Sequence, residues 1–112
     1  MSNYYDQQGN PMELMDWAQA FETDDRVVAS DYVGDVHVST VWLGLDHQYG
    51  DGPPLIFETM IFGGELDGEQ WRDSTEEQAK DSHAHAVAQV AALRVGASPV
   101  LTVPGLAEEN QP

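Results

Sequence analysis

Four side chains carry groups that metal or acid–base chemistry uses and lie close enough in sequence to share a site: His37, Asp46, His47 and Glu58. Imidazole and carboxylate together suit zinc, manganese or iron. Asp46-His47 breaks the apolar run Val41-Trp42-Leu43 just ahead of Tyr49-Gly50-Asp51-Gly52-Pro53-Pro54. In a hairpin, His37 and Glu58 would stand on neighbouring strands, with Asp46 and Asp51 flanking the loop between them. The spacing matches no metal motif such as H-E-x-x-H. The plainer alternative makes Asp46 a turn-initiating residue and His47 a surface loop residue.

The loop itself has a mechanical meaning. Gly50 and Gly52 can take positive φ, Asp51 can bond its own backbone, and the two prolines fix the approach to the next apolar run. A stiff exposed loop is a common carrier of binding contacts, so Asp46, His47, Tyr49 and Asp51 are candidate partner-binding residues. Glu65, Asp67 and Glu69 join them, as members of the densest acidic region, which runs to Asp81 and is answered only by Arg72 and Lys80. On one extended segment these three would repeat about every 6.8 Å on one side, imitating the charge rail of a nucleic acid. The Asp67-Gly68 turn interrupts that rail, and a solvated acidic face is the alternative.

Other reactive side chains lack context. His83 lies on an apolar helical stripe and reads as a core-edge histidine bonded to a neighbouring strand. His85 lies off that stripe, which argues against joint ligation. Ser39, Ser74 and Ser82 have no G-x-S-x-G surroundings, and no glycine pattern fits a phosphate-binding loop or a dinucleotide fold. No catalytic motif is recognisable and no cofactor is expected.

Twenty acidic residues stand against four basic ones, Arg26, Arg72, Lys80 and Arg94, for a net charge of −16. Such a chain cannot assemble the basic patch that phosphate binding needs, so direct nucleic-acid binding is not expected. The sign favours basic partners, divalent cations or solubility through self-repulsion. With no cysteine there is neither a disulfide framework nor a thiolate zinc site. The first residues show no basic region followed by a long apolar core, and no window reaches the roughly 20 apolar residues of a membrane span. A cytoplasmic protein without membrane association is expected.

These residues must be positioned by few elements. Asn10-Pro11 with Glu13 reads as a helix start, and Leu14, Trp17, Ala18 and Phe21 form one stripe over residues 11–22. Three β-like runs follow, Arg26 to Tyr32, Val36 to Leu43 and Leu55 to Phe62. Val33-Gly34-Asp35 is a hairpin turn between the first two, and Gln70 to Arg72 is a short fourth strand. Ser74 and Glu77 fit a capping box for a helix over 75–93, with Ala79, His83, Ala86, Val87, Val90 and Leu93 on its apolar face. The order α-β-β-β-(β)-α predicts an α+β domain over residues 1–95: a three- to four-stranded antiparallel sheet with two helices packed on one face. Residues 96–112 read as a C-terminal tail, expected to be mobile, in which Val100 to Val103 could dock as an edge strand.

Tyr5-Asp6, Gly9-Asn10-Pro11, Trp17, Phe21, the block VSTVWLGLDHQYGDGPPLIFETMIFGG, Asp67-Gly68, and Thr75-Glu76-Glu77-Gln78-Ala79 with His83 resemble a group of small acidic conserved proteins encoded by tailed phages and prophages of actinobacteria. The likeness spans about residues 4–92, is most specific over 38–64, and excludes the tail. That group carries no assigned activity, so the resemblance transfers no catalytic residue. It implies a phage-encoded accessory protein acting in the host cytoplasm. The expected function is to bind a host or phage protein with a basic surface, for example by blocking a basic nucleic-acid-binding groove. The alternatives are a small metal- or small-molecule-binding domain centred on Asp46 and His47, and a virion structural or assembly component. A homodimer is compatible with each.

Overall fold

The computed structural model describes residues 3–23, 25–46 and 51–96. The chain begins with a small hairpin, β1 (Tyr4–Tyr5) paired antiparallel with β2 (Pro11–Met12). Its turn is organised by Asp6, whose Oδ1 accepts the backbone N–H groups of Gln8 (2.9 Å) and Asn10 (2.8 Å). The Asp6 N–H in turn donates to the Asn10 carbonyl at 2.8 Å. Asn10-Pro11 is therefore the return strand of a hairpin and not a helix start. The capping signal was genuine in type, but Asp6 engages Asn10 first.

Helix α1 runs Leu14–Thr23. Trp17, Ala20 and Phe21 pack inward around Trp42, whereas Leu14 is 52% exposed. The apolar stripe is thus shifted from the expected one, with Ala20 on the packed face and Leu14 off it, and the helix starts three residues later than the sequence implies.

The sheet comprises β3 (Val27–Val33), β4 (Val36–Trp42), β5 (Phe57–Phe62) and β6 (Gln70–Asp73), antiparallel in that spatial order. Gly34, at φ 63°, turns β3 into β4 as a two-residue connection, and Gly63 and Gly64, at φ 96° and 73°, leave β5. Successive side chains of a strand point to opposite faces. On β4 and β5 the inner positions Val36, Val38, Thr40, Trp42, Phe57, Thr59 and Ile61 are buried, while the intervening ones are not fully covered.

Helix α2 (Glu76–Gly96) crosses that inner face, burying Ala79, His83, Ala86 and Val90. Its cap is one residue later than expected. Thr75 Oγ1 accepts the Gln78 N–H (3.1 Å), and Gln78 Oε1 accepts the N–H groups of Ser74 (3.1 Å) and Thr75 (3.2 Å). Thr75-x-x-Gln78 is the capping box, in place of Ser74-x-x-Glu77.

One cluster, Val36, Val38, Ile61, Ala86 and Val90, lies under α2. A second, Trp42, Ile56, Phe57 and Ala79, is closed by α1 and the hairpin through Tyr5, Met12, Trp17 and Phe21. Both clusters use the same side of β4 and β5, so both helices lie on one face, as the sequence predicts for this α+β class. The hairpin is stitched to the segment after β4. Trp42 Nε1 donates to the Tyr5 carbonyl (3.1 Å), the Tyr5 N–H to Gly44 (2.8 Å) and the Asp46 N–H to Asn3 (2.9 Å). Gly44, at φ 74°, lies between the indoles of Trp17 and Trp42, where no side chain fits. The expected tail beyond Gly96, including Val100 to Val103, lies outside the described residues.

Candidate functional site

His37 and Glu58, two members of the metal-type quartet, stand apart. His37 stands opposite Phe62, and Glu58 opposite Val41, so the two differ by four residues, roughly 13 Å along the strands. Each is also engaged elsewhere. His37 Nε2 shares a hydrogen bond with Ser30 Oγ at 2.8 Å, and Glu58 Oε2 accepts from Arg72 Nε (3.2 Å) and Nη2 (3.1 Å). Asp46 Oδ1 accepts the Leu55 N–H at 3.0 Å, bridging the two ends of the 46–55 connection. Its role as a turn-fixing residue is thereby visible. His47 and Tyr49 lie outside the described residues, and Asp51 is exposed. Among the described residues no three His, Asp or Glu side chains gather as a metal would require.

The acidic loop is folded, not extended. Asp67 Oδ1 accepts the Gly63 N–H at 2.6 Å, and the Gly68 and Glu69 N–H groups return to Ile61 (2.8 Å) and Leu66 (3.0 Å). Glu65, Asp67 and Glu69 are exposed on this compact turn, so the regular rail that strand geometry would have given is absent.

On the sheet's inner face a chain of hydrogen bonds joins four elements. Asp31 Oδ2 meets His83 Nε2 at 2.7 Å, His83 Nδ1 meets Thr40 Oγ1 at 2.8 Å, and Thr40 Oγ1 meets Thr59 Oγ1 at 2.6 Å. Acid, imidazole and hydroxyl occur in the order of a hydrolase triad. Thr40 and Thr59, however, have no exposed surface and His83 only 5%, so the hydroxyl cannot meet a substrate. The network satisfies buried polar groups and fixes α2 over β3, β4 and β5. This is the core-edge role expected of His83.

The outer face of the sheet carries no helix, and register sorts its side chains into rows. Tyr32, His37 and Phe62 form one, Ser30, Ser39, Met60 and Gln70 the next, and Val27, Val41, Glu58 and Arg72 the third. In the first row the Tyr32 and His37 rings stack at 4.4 Å and 9°, and the His37 and Phe62 rings follow at 5.9 Å and 29°. Tyr32 is 70% and Phe62 47% exposed. Sequence reasoning missed this row. The signal was the shared strand parity of the three residues, which becomes an adjacency only once register is known.

All four basic side chains are engaged within the molecule. Arg26 lies over the Phe21 ring (4.1 Å), Arg72 pairs with Glu58 (3.1 Å), Lys80 with Glu76 (3.0 Å) and Arg94 with Asp35 (3.7 Å). A cleft of about 160 Å³ opens beside that last pair, between Gly64-Glu65-Leu66 and Val90, Leu93 and Arg94 of α2. It is smaller than the roughly 300–1,000 Å³ of ordinary small-molecule sites. Among the described residues no helix is long and apolar enough to cross a membrane. No protein-family model, curated protein or solved structure matches the chain.

Proposed function

We propose that the protein is a non-catalytic binding protein that engages a partner with a basic surface. In the setting implied by its resemblance to actinophage-encoded proteins, it is an accessory factor in the cytoplasm of the bacterial host, and the partner is a host or phage protein. The observation that carries this reading is the internal use of every Lys and Arg. With a net charge of −16 and no cation to spare, the remaining carboxylates draw positive charge from outside the chain, and long-range attraction steers a basic partner toward them.

Blocking of a basic groove remains compatible with this chemistry, though the contact is a folded acidic loop beside a sheet face and not a linear mimic of a phosphate backbone. Capture from actinobacterial lysate at low and high salt tests the proposal. A protein retained at low salt and released at high salt is expected, and an empty column at both would overturn it.

A further inference from the structure

Resting on the function just proposed, we infer that the outer face of the sheet is the docking surface, and that its occupant is an arginine-rich extended segment of the basic partner. The row Tyr32, His37, Phe62 presents a nearly continuous aromatic strip across β3, β4 and β5, about 10 Å wide between the outer strands. The central ring is held by Ser30 Oγ at 2.8 Å and by stacking on Tyr32, so the strip is preorganised. His37 is covered by its two stacked neighbours, so the ring surface open to a guanidinium is that of Tyr32 and Phe62, 70% and 47% exposed. Planar guanidinium groups stack on such ring faces and offer a donor fork to carboxylates, whereas an ammonium is a compact, strongly hydrated charge.

Exposed carboxylates stand at the same end of the sheet. The strip lies at the end of the sheet where the Gly34-Asp35 turn and the 63–69 loop emerge. Glu65, Asp67 and Glu69 are exposed there, whereas Asp35, 97% exposed at its side chain, already faces Arg94 at 3.7 Å. The face itself carries only Glu58 and Arg72, which cancel each other. Arginine on an aromatic ring is also a contact this chain makes internally, with Arg26 over Phe21 at 4.1 Å.

Two other occupants fit less well. Nucleic-acid bases stack on aromatic side chains of four-stranded sheets, but a rim of carboxylates on a −16 molecule repels phosphates. A second copy would bring two bodies of that same charge face to face.

The experiment titrates the intact protein with an oligo-arginine peptide and an oligo-lysine peptide of equal length, by calorimetry and by amide chemical shifts. The same titrations are run on Tyr32→Ala/Phe62→Ala and on Glu65→Gln/Glu69→Gln. The first pair sits on exposed surface, and thermal melts verify that each variant folds.

The expected result is tighter binding of oligo-arginine, with shifts centred on β3–β5. The aromatic double variant should lose about 5- to 30-fold in affinity for it and retain its affinity for oligo-lysine. The carboxylate variant should weaken both peptides alike. Equal affinity for the two peptides, unchanged in the aromatic variant, would overturn the platform while leaving an electrostatic binding protein standing. No binding of either peptide at low salt would overturn both readings. A single-stranded RNA oligonucleotide bound by the wild type and lost in the aromatic variant, or a dimer in sedimentation that the same variant dissociates, would overturn the choice of occupant.

Discussion

Replacing Thr40 by Val tests the hydrogen-bonded chain Asp31–His83–Thr40–Thr59 with almost no change of shape. Thr40 is fully buried and bonds both Thr59 (2.6 Å) and His83 (2.8 Å). Its loss strands a hydroxyl with no exposure and a ring nitrogen on a residue only 5% exposed. At about 1–3 kcal/mol for each buried group left unpaired, Thr40→Val should cost about 2–6 kcal/mol. His83→Leu should cost less, about 1–2 kcal/mol, because Thr40 and Thr59 keep each other and Asp31, 59% exposed at its side chain, returns to water. In the double variant the second change removes a group the first had already stranded. The two costs should therefore fall short of additivity by at least about 1 kcal/mol. Adding Thr59→Val turns the layer apolar and should recover most of the loss. Urea unfolding followed by tryptophan fluorescence gives each value, provided the slope with urea stays constant. Additivity within about 0.5 kcal/mol, or a triple variant less stable than Thr40→Val, would refute the claim that these groups act as one network.

Gly44→Ala should cost about 2–4 kcal/mol in the same assay, because a Cβ there meets Trp17 and Trp42 at a left-handed φ of 74°. Gly9→Ala, at φ 88° with nothing within 4 Å, carries only the backbone strain and should cost about 1 kcal/mol. Thr75→Ala removes the acceptor for the Gln78 N–H (3.1 Å) and should cost about 1 kcal/mol, whereas Ser74→Ala should be nearly silent in thermal melts. Trp17→Phe removes the donor to the Leu43 carbonyl (2.9 Å), leaving a half-buried acceptor short of one bond. It should lower stability by about 1–2 kcal/mol in urea titrations.

How much of this was legible depended on the range over which each residue acts. The β3–β4 hairpin was readable because Gly34-Asp35 between β-branched runs is a local code, and the face of α2 was readable because helical periodicity repeats over many residues. His83 was readable as a core-edge histidine from that same periodicity. The errors lie where two local codes competed. Asn10 can cap a helix or close a turn, and an Asp four residues earlier decided it. Ser74 and Thr75 both can cap, and Gln78 chose the second. Register escaped altogether. Nothing in the sequence reports that His37 faces Phe62 and not Glu58, because strand pairing is fixed by long-range packing. Both the separation of His37 from Glu58 and the assembly of the aromatic strip follow from that one fact.

The stitching of the first hairpin to the residues after β4 has a consequence for how the chain comes off the ribosome. Tyr5 waits thirty-seven residues for Trp42, and Asp31 waits fifty-two for His83. At roughly 5–20 residues per second, the second wait alone lasts about 3–10 s, during which Val36, Val38 and Ile61 have no helix over them. The core therefore cannot close until α2 has been made. Until then the apolar inner face of β4 and β5 is uncovered, and the surplus of negative charge opposes its association with other copies through like-charge repulsion.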